Sequence, residues 1–445
     1  MHIRKPSYVL AAFLLLLASP SIFVGGPLAQ REQLSSIDQD RDRGILRDAY
    51  DAVKKHYYDP TYHGVDLDAR YRQCEDKIKA APVNGEAFRW IAAFLGGLND
   101  SHTFFVPPAR TSQVEYGFRM QVFGDDVFVT HVRPGTDAES KVHPGDQITL
   151  YQGFSVNRRD FHDLSYYLNS LSPLAVSQLN LRDPDGGIRQ VSVNSKLQQG
   201  RKVLDFTSGG SDVWQYIREE ENRDHLVRQQ YVEIGDVMIW KMPEFFLEDS
   251  EVDRFFGVAQ RHRTLILDLR GNPGGAITTL ERMVGNVFDH DLKIADRIAR
   301  KEQKPQIAKT RGDRAFGGRM IVLVDSRSAS AAELFARVTQ LEHRGTVLGD
   351  RTSGSVMEAR IYRYSQGMDT KIFYAFSVTD ADLVMNDGRS LEHVGVTPDE
   401  IVLPSAQDLA DNRDPVLARA AGLAGLKMNT SEAAKLFPLE WLPLQ

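Results

Sequence analysis

Three short apolar runs constrain most strongly what this chain can fold into. They read VMIW at 237–240, TLILDL at 264–269 and MIVLV at 320–324. Helical spacing of apolar residues follows the second and third runs, at 276–288 and 330–342. Strands that are apolar throughout and that alternate with helices are typical of a sheet covered on both faces. We therefore predict an α/β core.

Two regions with other periodicities precede this core. Apolar residues recur at helical spacing from Asp42 to Tyr57 and again over 66–80 and 85–98, which predicts a helical subdomain. Two stretches that alternate apolar and polar residues, 118–132 and 177–193, predict hairpins. A helix at 160–171 lies between the hairpins, so we predict a compact β-rich domain.

The N-terminus has the pattern of a targeting segment. His2, Arg4 and Lys5 precede an apolar run that is followed by small residues up to Ala29. A charged start, a short apolar stretch and a small residue at its end are typical of a signal peptide. An uncleaved anchor is the alternative, although the run is short for a membrane span. We expect cleavage near Gln30, export to the periplasm or medium, and no stable membrane span afterwards.

The predicted organisation has six parts. They are a signal peptide at 1–29, a helical N-terminal subdomain at 36–110, a β-rich domain at 115–197, a connector at 198–230, an α/β core at 231–410 and a helical tail at 411–445.

Composition excludes several classes of function. The chain has 54 Lys and Arg against 60 Asp and Glu, interleaved without a basic patch, so nucleic acid is not an expected partner. Its single cysteine, Cys74, precludes an intramolecular disulfide, and its helical spacing with apolar residues predicts a buried hydrophobe. The histidines lack partners at ligand spacing, so we expect neither a metal nor another cofactor.

The segment LDLRGNPGG at 267–275 carries the first candidate chemistry. A strand runs into a glycine-rich turn, which directs free backbone N–H groups at whatever lies above the sheet. Such a loop can bind phosphate or stabilise an oxyanion. A phosphate loop would have Lys and Ser or Thr after its glycines, whereas Ala276-Ile277 follows here. A tight turn without function is the remaining alternative.

The segment VDSRSASAAELFARV at 324–338 carries the second set of candidate catalytic residues. Ser326, Ser328 and Ser330 lie between a strand and a helix. A serine at such a turn projects its hydroxyl above the sheet edge, and the next N–H helps to hold an oxyanion. Serine is also among the best N-cap residues, so capping is the alternative. The G-x-S-x-G pattern of ordinary hydrolases is absent.

Together, DLRGNPGG, SRSASAAEL and LEHVGVTPD (391–399) resemble the C-terminal processing, or tail-specific, peptidase family. YGFRM (116–120) and HPGDQI (143–148) resemble its PDZ domain. The resemblance implies a clp/crotonase-like α/β core, a PDZ-like domain and Ser330 as the nucleophile. It also implies a peptide or unfolded protein as the substrate. The PDZ-like loop would bind the substrate's C-terminal carboxylate, and the residues of that loop are Tyr116, Gly117, Phe118 and Arg119. In this family the module can instead serve only as a gate.

The sequence departs from the lysine-using members of that family. Their base follows a G-x-T-x-G segment, where this chain has GDRTSGSVM with Ser355 in the lysine position. No lysine occurs between Lys309 and Lys371. The segment GGLNDSHTFF (96–105) resembles the tricorn protease branch, whose base is a histidine preceded by a serine.

The tricorn resemblance implies His102 as the general base, with Ser101 and Glu392 orienting its imidazole. The N–H groups of Gly275 and Ala331 would form the oxyanion hole, with Gly274 as a competitor for the first. Two alternatives stay open: Ser101-His102 as a loop cap beside a structural histidine, and Glu392 as a surface charge.

The predicted function is that of an exported serine endopeptidase that cleaves peptides or unfolded tails through an acyl-enzyme. The alternative is an inactive protein on the same fold that binds peptides or apolar ligands, since fold does not fix function.

Overall fold

A computed structural model describes residues 34–110, 112–199, 223–367 and 371–443. The predicted signal peptide and most of the predicted connector lie outside these ranges. The α-helices are α1 (Ser36–His56), α2 (Leu67–Lys79), α3 (Asn84–Gly96), α4 (Arg158–Tyr166), α5 (Asp249–Ala259), α6 (Ile277–Gly285), α7 (Ala331–Leu341), α8 (Ala406–Ala410), α9 (Pro415–Leu423) and α10 (Thr430–Ala434). Across the described ranges, every helix is too short or too polar to cross a membrane.

The strands of the first half are β1 (Phe104–Val106), β2 (Ser112–Glu115), β3 (Phe118–Phe123), β4 (Asp126–Val132), β5 (Gln147–Tyr151), β6 (Phe154–Ser155), β7 (Val176–Arg182), β8 (Ile188–Asn194) and β9 (Lys196–Gln199). Those of the second half are β10 (Gln230–Ile234), β11 (Val237–Lys241), β12 (Thr264–Asp268), β13 (Leu292–Ile298), β14 (Gln306–Ala308), β15 (Arg319–Val324), β16 (Thr346–Gly349), β17 (Met357–Gln366), β18 (Ile372–Met385) and β19 (Glu400–Ile401).

The three apolar runs form adjacent strands of one buried sheet, as predicted. Its order is β10-β11-β12-β15-β16-β19, and all its pairs are parallel except β10 with β11. Leu265 and Leu267 of β12 pack with α5, α6 and α7, whereas Ile266 packs on the opposite face with α9 and α10. Burying each such side chain stabilises the fold by about 1.5–3 kcal/mol. Both faces are therefore covered, and the predicted α/β core is confirmed.

A second sheet connects the helical N-terminal region to the core. Its order is β1-β18-β13-β14, with β17 also paired to β18. Strand β1 is short, but it pairs antiparallel with the middle of β18, so that Phe105 lies opposite Phe376. The predicted strand at 371–379 continues to Met385, because the second half of β18 forms backbone hydrogen bonds with β13 and β17. This pairing places the end of the helical region beside the core.

Residues 112–199 form the middle module, which contains the predicted PDZ-like domain. Its sheet has the order β3-β4-β5-β7-β8, and both predicted hairpins are present. The regular helix α4 ends at Tyr166, and the chain continues to Leu171 as a wider π-type turn. The module contacts the core through Arg158, which pairs with Asp350 at 2.5 Å, and through Gln121, which donates to Asp325 at 2.7 Å.

Candidate active site

Ser330 lies at a strained turn between β15 and α7. It occupies the N-cap position with φ 52° and ψ −117°, a conformation that L-residues rarely adopt. A strained backbone of this kind costs about 1–3 kcal/mol and persists where surrounding contacts enforce it. The strand-to-helix position agrees with the sequence prediction for a nucleophile.

The other two serines of this segment have structural contacts. The Ser326 hydroxyl donates to the carbonyl of Val122 at 2.6 Å, which joins the turn to the middle module. The Ser328 hydroxyl is buried, donates to the carbonyl of Leu269 at 2.8 Å and accepts from the N–H of Asp325 at 2.9 Å. These contacts fix the loop that precedes Ser330, so Ser330 is the serine that the geometry favours for chemistry.

Glu333 is a buried residue of this site that the sequence analysis missed. Its carboxylate accepts from the N–H groups of Ser330 at 3.1 Å and Ser355 at 2.9 Å, and from Gly354 N–H and the Thr352 hydroxyl at 2.8 and 2.5 Å. Burial raises the pKa of Glu333 to about 7, and the four hydrogen bonds oppose that rise. The carboxylate thereby ties the strained turn to the segment that follows β16. An S-x-x-E pattern, which is a capping-box signature, was the available sequence signal.

The glycine-rich loop approaches Ser330 closely. A Cβ on Gly274 would lie 2.7 Å from the Ser330 Cβ, so only glycine fits there. The Gly274 N–H is already donated to Asn272 Oδ1 at 2.8 Å. Within the described part of the chain, no acceptor takes the N–H of Gly275 or that of Ala331. Of the two glycines considered for the oxyanion hole, the geometry favours Gly275.

Ser101, His102 and Glu392 form a connected hydrogen-bond network. The Ser101 hydroxyl lies 2.8 Å from His102 Nδ1 and 2.9 Å from Glu392 Oε2. The carboxylate can only accept, so the Ser101 hydroxyl donates to Glu392 and its oxygen accepts from Nδ1–H. That tautomer leaves the Nε2 lone pair of His102 unprotonated, as a general base requires.

Glu392 is held by more than Ser101 Oγ. Its Oε1 accepts from the N–H of Ser101 at 2.6 Å, and its Oε2 accepts from the N–H of Val356 at 2.8 Å. Its side chain is only 10% exposed, so Glu392 is a largely buried carboxylate and not a surface charge. Burial raises the pKa of Glu392, and the neighbouring His393 lowers it.

The His102 network and the Ser330 turn meet at residues 355 and 356. The carbonyl of Ser355 accepts from the N–H of Ser330 at 2.9 Å, while the next N–H, that of Val356, binds Glu392. In the described ranges, no hydrogen bond joins the His102 ring directly to the Ser330 hydroxyl. Burial lowers the pKa of His102 to about 4, and the negative charge of Asp100 opposes this. The imidazole is therefore neutral at pH 7.

Neither the residue at the family's lysine position nor the next lysine in the sequence provides a basic side chain at this site. Ser355 contributes its backbone N–H and carbonyl to the site. Lys371 is exposed and precedes β18. It lies eight residues from Thr379, a distance of about 26 Å along an extended strand, and Thr379 is the point where β18 contacts the His102 loop.

The predicted carboxylate-binding loop is largely occupied by its own chain. Gly117 N–H donates to Glu115 Oε1 at 2.9 Å, and the Tyr116 hydroxyl donates to the Leu168 carbonyl at 3.0 Å. Arg119 pairs with Asp224 at 2.6 Å, and Phe118 is buried in β3. The role of this loop in binding peptides stays a prediction.

Two protein-family models match the sequence of this chain. Residues 233–402 match the model of peptidase family S41, and residues 39–96 match that of the tricorn protease C1 domain. The core of this chain, residues 233–402, belongs to peptidase family S41. It is therefore a serine-type hydrolase, and the family predicted from the motifs is confirmed.

Curated S41 relatives include both branches considered above. Chloroplastic carboxyl-terminal-processing peptidase 3 of Arabidopsis thaliana is 21% identical over 88% of this chain and 76% of its own length. The tail-specific protease of Haemophilus influenzae is 23% identical over 67% of this chain and 43% of its own length. A protein described as a tricorn protease homolog in Streptomyces coelicolor is 24% identical, and the match covers 87% of this chain but 33% of that protein.

Solved structures support the S41 fold. The crystal structure of mature CPAF superimposes with a TM-score of 0.62 at 16% identity, covering 84% of this chain and 95% of CPAF. At this identity the similarity concerns the fold alone.

Proposed function

We propose that this S41 peptidase is exported and cleaves peptides or unfolded protein tails with Ser330 as nucleophile and His102 as general base. Ser101 and Glu392 orient the imidazole, and the N–H groups of Gly275 and Ala331 stabilise the oxyanion. The observation that carries the proposal is the hydrogen-bond network from Glu392 through Ser101 to His102 Nδ1, which leaves Nε2 free to accept a proton.

The acylation step follows from these positions. Nε2 of His102 takes the Ser330 hydroxyl proton as Oγ attacks the scissile carbonyl, and the imidazolium then protonates the leaving amine. Negative charge that develops on the carbonyl oxygen is stabilised by the two backbone N–H groups. Water, activated by the neutral His102, then hydrolyses the acyl-enzyme and releases Ser330.

The substrate class is supported by the middle module. In PDZ-type recognition, backbone N–H groups bind a C-terminal carboxylate, and the peptide adds a strand to an exposed edge. Within the described residues, β3 is an edge strand of its sheet, and its Val122 carbonyl binds Ser326 of the nucleophile loop. A peptide that added to the β3 edge would therefore lie beside the loop that carries Ser330. Relatives named as carboxyl-terminal-processing and tail-specific proteases are consistent with such a substrate.

Labelling with a fluorophosphonate probe tests the nucleophile. Wild-type protein should label at one site, and Ser330→Ala should abolish labelling, whereas Ser326→Ala should retain it. Matched peptides with a free C-terminal carboxylate or a C-terminal amide test the substrate class, and the free acid should be cleaved with the lower KM. N-terminal sequencing of exported material should find a start near Gln30. Labelling that persists in Ser330→Ala would contradict the assignment.

One observation favours the alternative of a non-catalytic binding protein. In the described ranges, the His102 ring and the Ser330 hydroxyl do not share a hydrogen bond, so the pair is not assembled in this conformation. Resting catalytic hydrogen bonds are often long and tighten only with substrate. A folded wild-type protein that neither labels nor cleaves any peptide, but binds peptides by calorimetry, would support the binding alternative.

A further inference from the structure

A second carboxylate, that of Asp100, supports the loop that carries His102. Its Oδ1 accepts from the N–H of His102 at 3.0 Å and from the N–H of Thr103 at 2.7 Å. The same oxygen accepts from the hydroxyl of Thr379 at 2.6 Å, which joins the loop to β18. One oxygen atom therefore holds two consecutive N–H groups of the loop and a side chain of the core.

Carboxylates thus accept all three successive N–H groups of the loop. Glu392 binds the N–H of Ser101, and Asp100 binds those of His102 and Thr103. Asn99, which precedes Asp100, has φ 55°, and its carbonyl lies 2.8 Å from His393 Nε2. A loop fixed in this way has little freedom to change the position of the imidazole, because hydrogen bonds to charged groups are about twice as strong as neutral ones.

The second oxygen of Asp100 is unusual. Oδ2 is buried and has no hydrogen-bond partner in the described residues. The buried phenol of Tyr57, whose hydroxyl also has no other partner in the described residues, lies beside Asp100, and burial, with the charge and hydrogen bonding of Asp100, raises the pKa of that phenol. Burying the negative charge of Asp100 is still costly unless that charge has a use. A positive charge that forms on the adjacent imidazole during acylation would supply one.

We propose that Asp100 is a positioning residue for the general base, fixing the His102 backbone and stabilising the imidazolium that forms during acylation. The inference rests on the proposed role of His102. Asp100 would be a second carboxylate beside Glu392 in the predicted set of catalytic residues. It binds the backbone N–H of His102 and acts on the imidazole by its charge, without a hydrogen bond to Nδ1.

Other charged groups around His102 act with or against Asp100. Glu392 acts through Ser101, and His393 binds the Asn99 carbonyl. From α4 of the middle module, His162 lowers the pKa of His102, whereas Asp100 raises it. Asp100 therefore keeps the imidazole more basic than burial and His162 alone would leave it.

Asp100→Asn separates charge from geometry. The amide oxygen can still accept the same three hydrogen bonds, but the negative charge is lost. We expect the acid limb of kcat/KM to move to lower pH by roughly one unit, the size typical of losing a nearby opposite charge. We also expect the plateau to fall roughly tenfold, because general-base efficiency falls with the pKa of the base.

Thr379→Val is the matched structural control. It removes the hydroxyl that binds Asp100 but keeps the charge, so stability should fall while the acid limb stays in place. The ¹⁵N chemical shifts of the His102 ring should give the pKa of the imidazole directly in each full-length variant. That measurement does not depend on turnover.

The outcomes distinguish this inference from the proposed function. If His102→Ala is inactive but Asp100→Asn has the acid limb, plateau and His102 titration of the wild type, the inference is wrong and the function stands. If Asp100→Asn and Thr379→Val lower activity only in proportion to the fraction folded, Asp100 is merely structural. If His102→Ala keeps wild-type activity, the proposed function itself fails.

Discussion

Gly275→Ala tests the oxyanion loop through sterics. Gly275 has φ 148°, and a Cβ there would lie 2.5 Å from the backbone oxygen of Phe245. That oxygen cannot move easily, because it accepts the N–H of Ala276 at 2.7 Å, while Phe245 N–H donates to Gly274 at 2.8 Å. The loop must therefore shift, and the Gly275 N–H must leave its position.

The magnitude follows from the loss of one oxyanion donor. Removing such a donor costs about 2.7–4 kcal/mol, which is a factor of about 10²–10³ in kcat. Strain at a positive φ adds about 1–2 kcal/mol to the loss of stability. We expect kcat per labelled site to fall by about that factor, with KM changed much less.

Gly271→Ala is the matched control in the same loop. Gly271 has φ 74°, but a Cβ there would meet nothing within 4 Å, so only the backbone strain applies. Its midpoint of urea unfolding should fall while kcat per labelled site stays within a few-fold of wild type. Equal kcat for Gly275→Ala and wild type, or equal losses in the two variants, would refute the assignment of the Gly275 N–H.

Three further predictions concern Glu333, His102 and Ser355. Glu333→Ala leaves the N–H groups of Gly354 and Ser355 without their acceptor, at about 1–3 kcal/mol each; a large drop in unfolding midpoint and loss of probe labelling should follow, and retained labelling would contradict this role. Burial lowers the pKa of His102 to about 4, and the base must be neutral, so kcat/KM should fall only as pH drops well below 6.5; a fall that already begins as pH drops below about 8 would indicate a lysine base instead. Ser355→Ala should keep kcat/KM within about threefold, since its contacts here are made by the backbone; a loss of two orders of magnitude would show that its hydroxyl has a role.

Local patterns were sufficient to predict the strands of the core, whereas the candidate site residues came from motif resemblance. The strands at 237–240, 264–269 and 320–324 could be predicted because a short, continuous apolar run indicates a strand that is buried on both faces. Ser330, His102, Ser101 and Glu392 came from motif resemblance rather than from periodicity, and the structure brings the last three into one network. Their catalytic roles stay predictions.

The second sheet could not be predicted from such patterns. Strand β1 has three residues, and it pairs with residues 375–377, which lie about 270 positions away in sequence. Its pairing depends on the fold rather than on local propensity. This pairing brings the His102 loop to the core, so the site geometry was beyond sequence reasoning even where its residues were known.

Asp100 was missed for a different reason. An Asp before Ser-His reads as an ordinary loop cap, and nothing local shows that Thr379 meets it. Glu333 was missed although its position three residues after Ser330 matches a capping box. In both cases the carboxylate binds backbone N–H groups of the site, and those contacts exist only after the long-range pairing has formed.

Turnover by His102→Ala is the measurement that tests the account most directly. Variants should be compared by kcat/KM on a peptide with a free C-terminal carboxylate, with folding checked by circular dichroism and unfolding midpoint. The account predicts a loss of about four orders of magnitude, as for removal of a triad member, with folding intact and smaller losses in Ser101→Ala and Glu392→Ala. A folded His102→Ala with kcat/KM within tenfold of wild type would contradict the Ser-His mechanism.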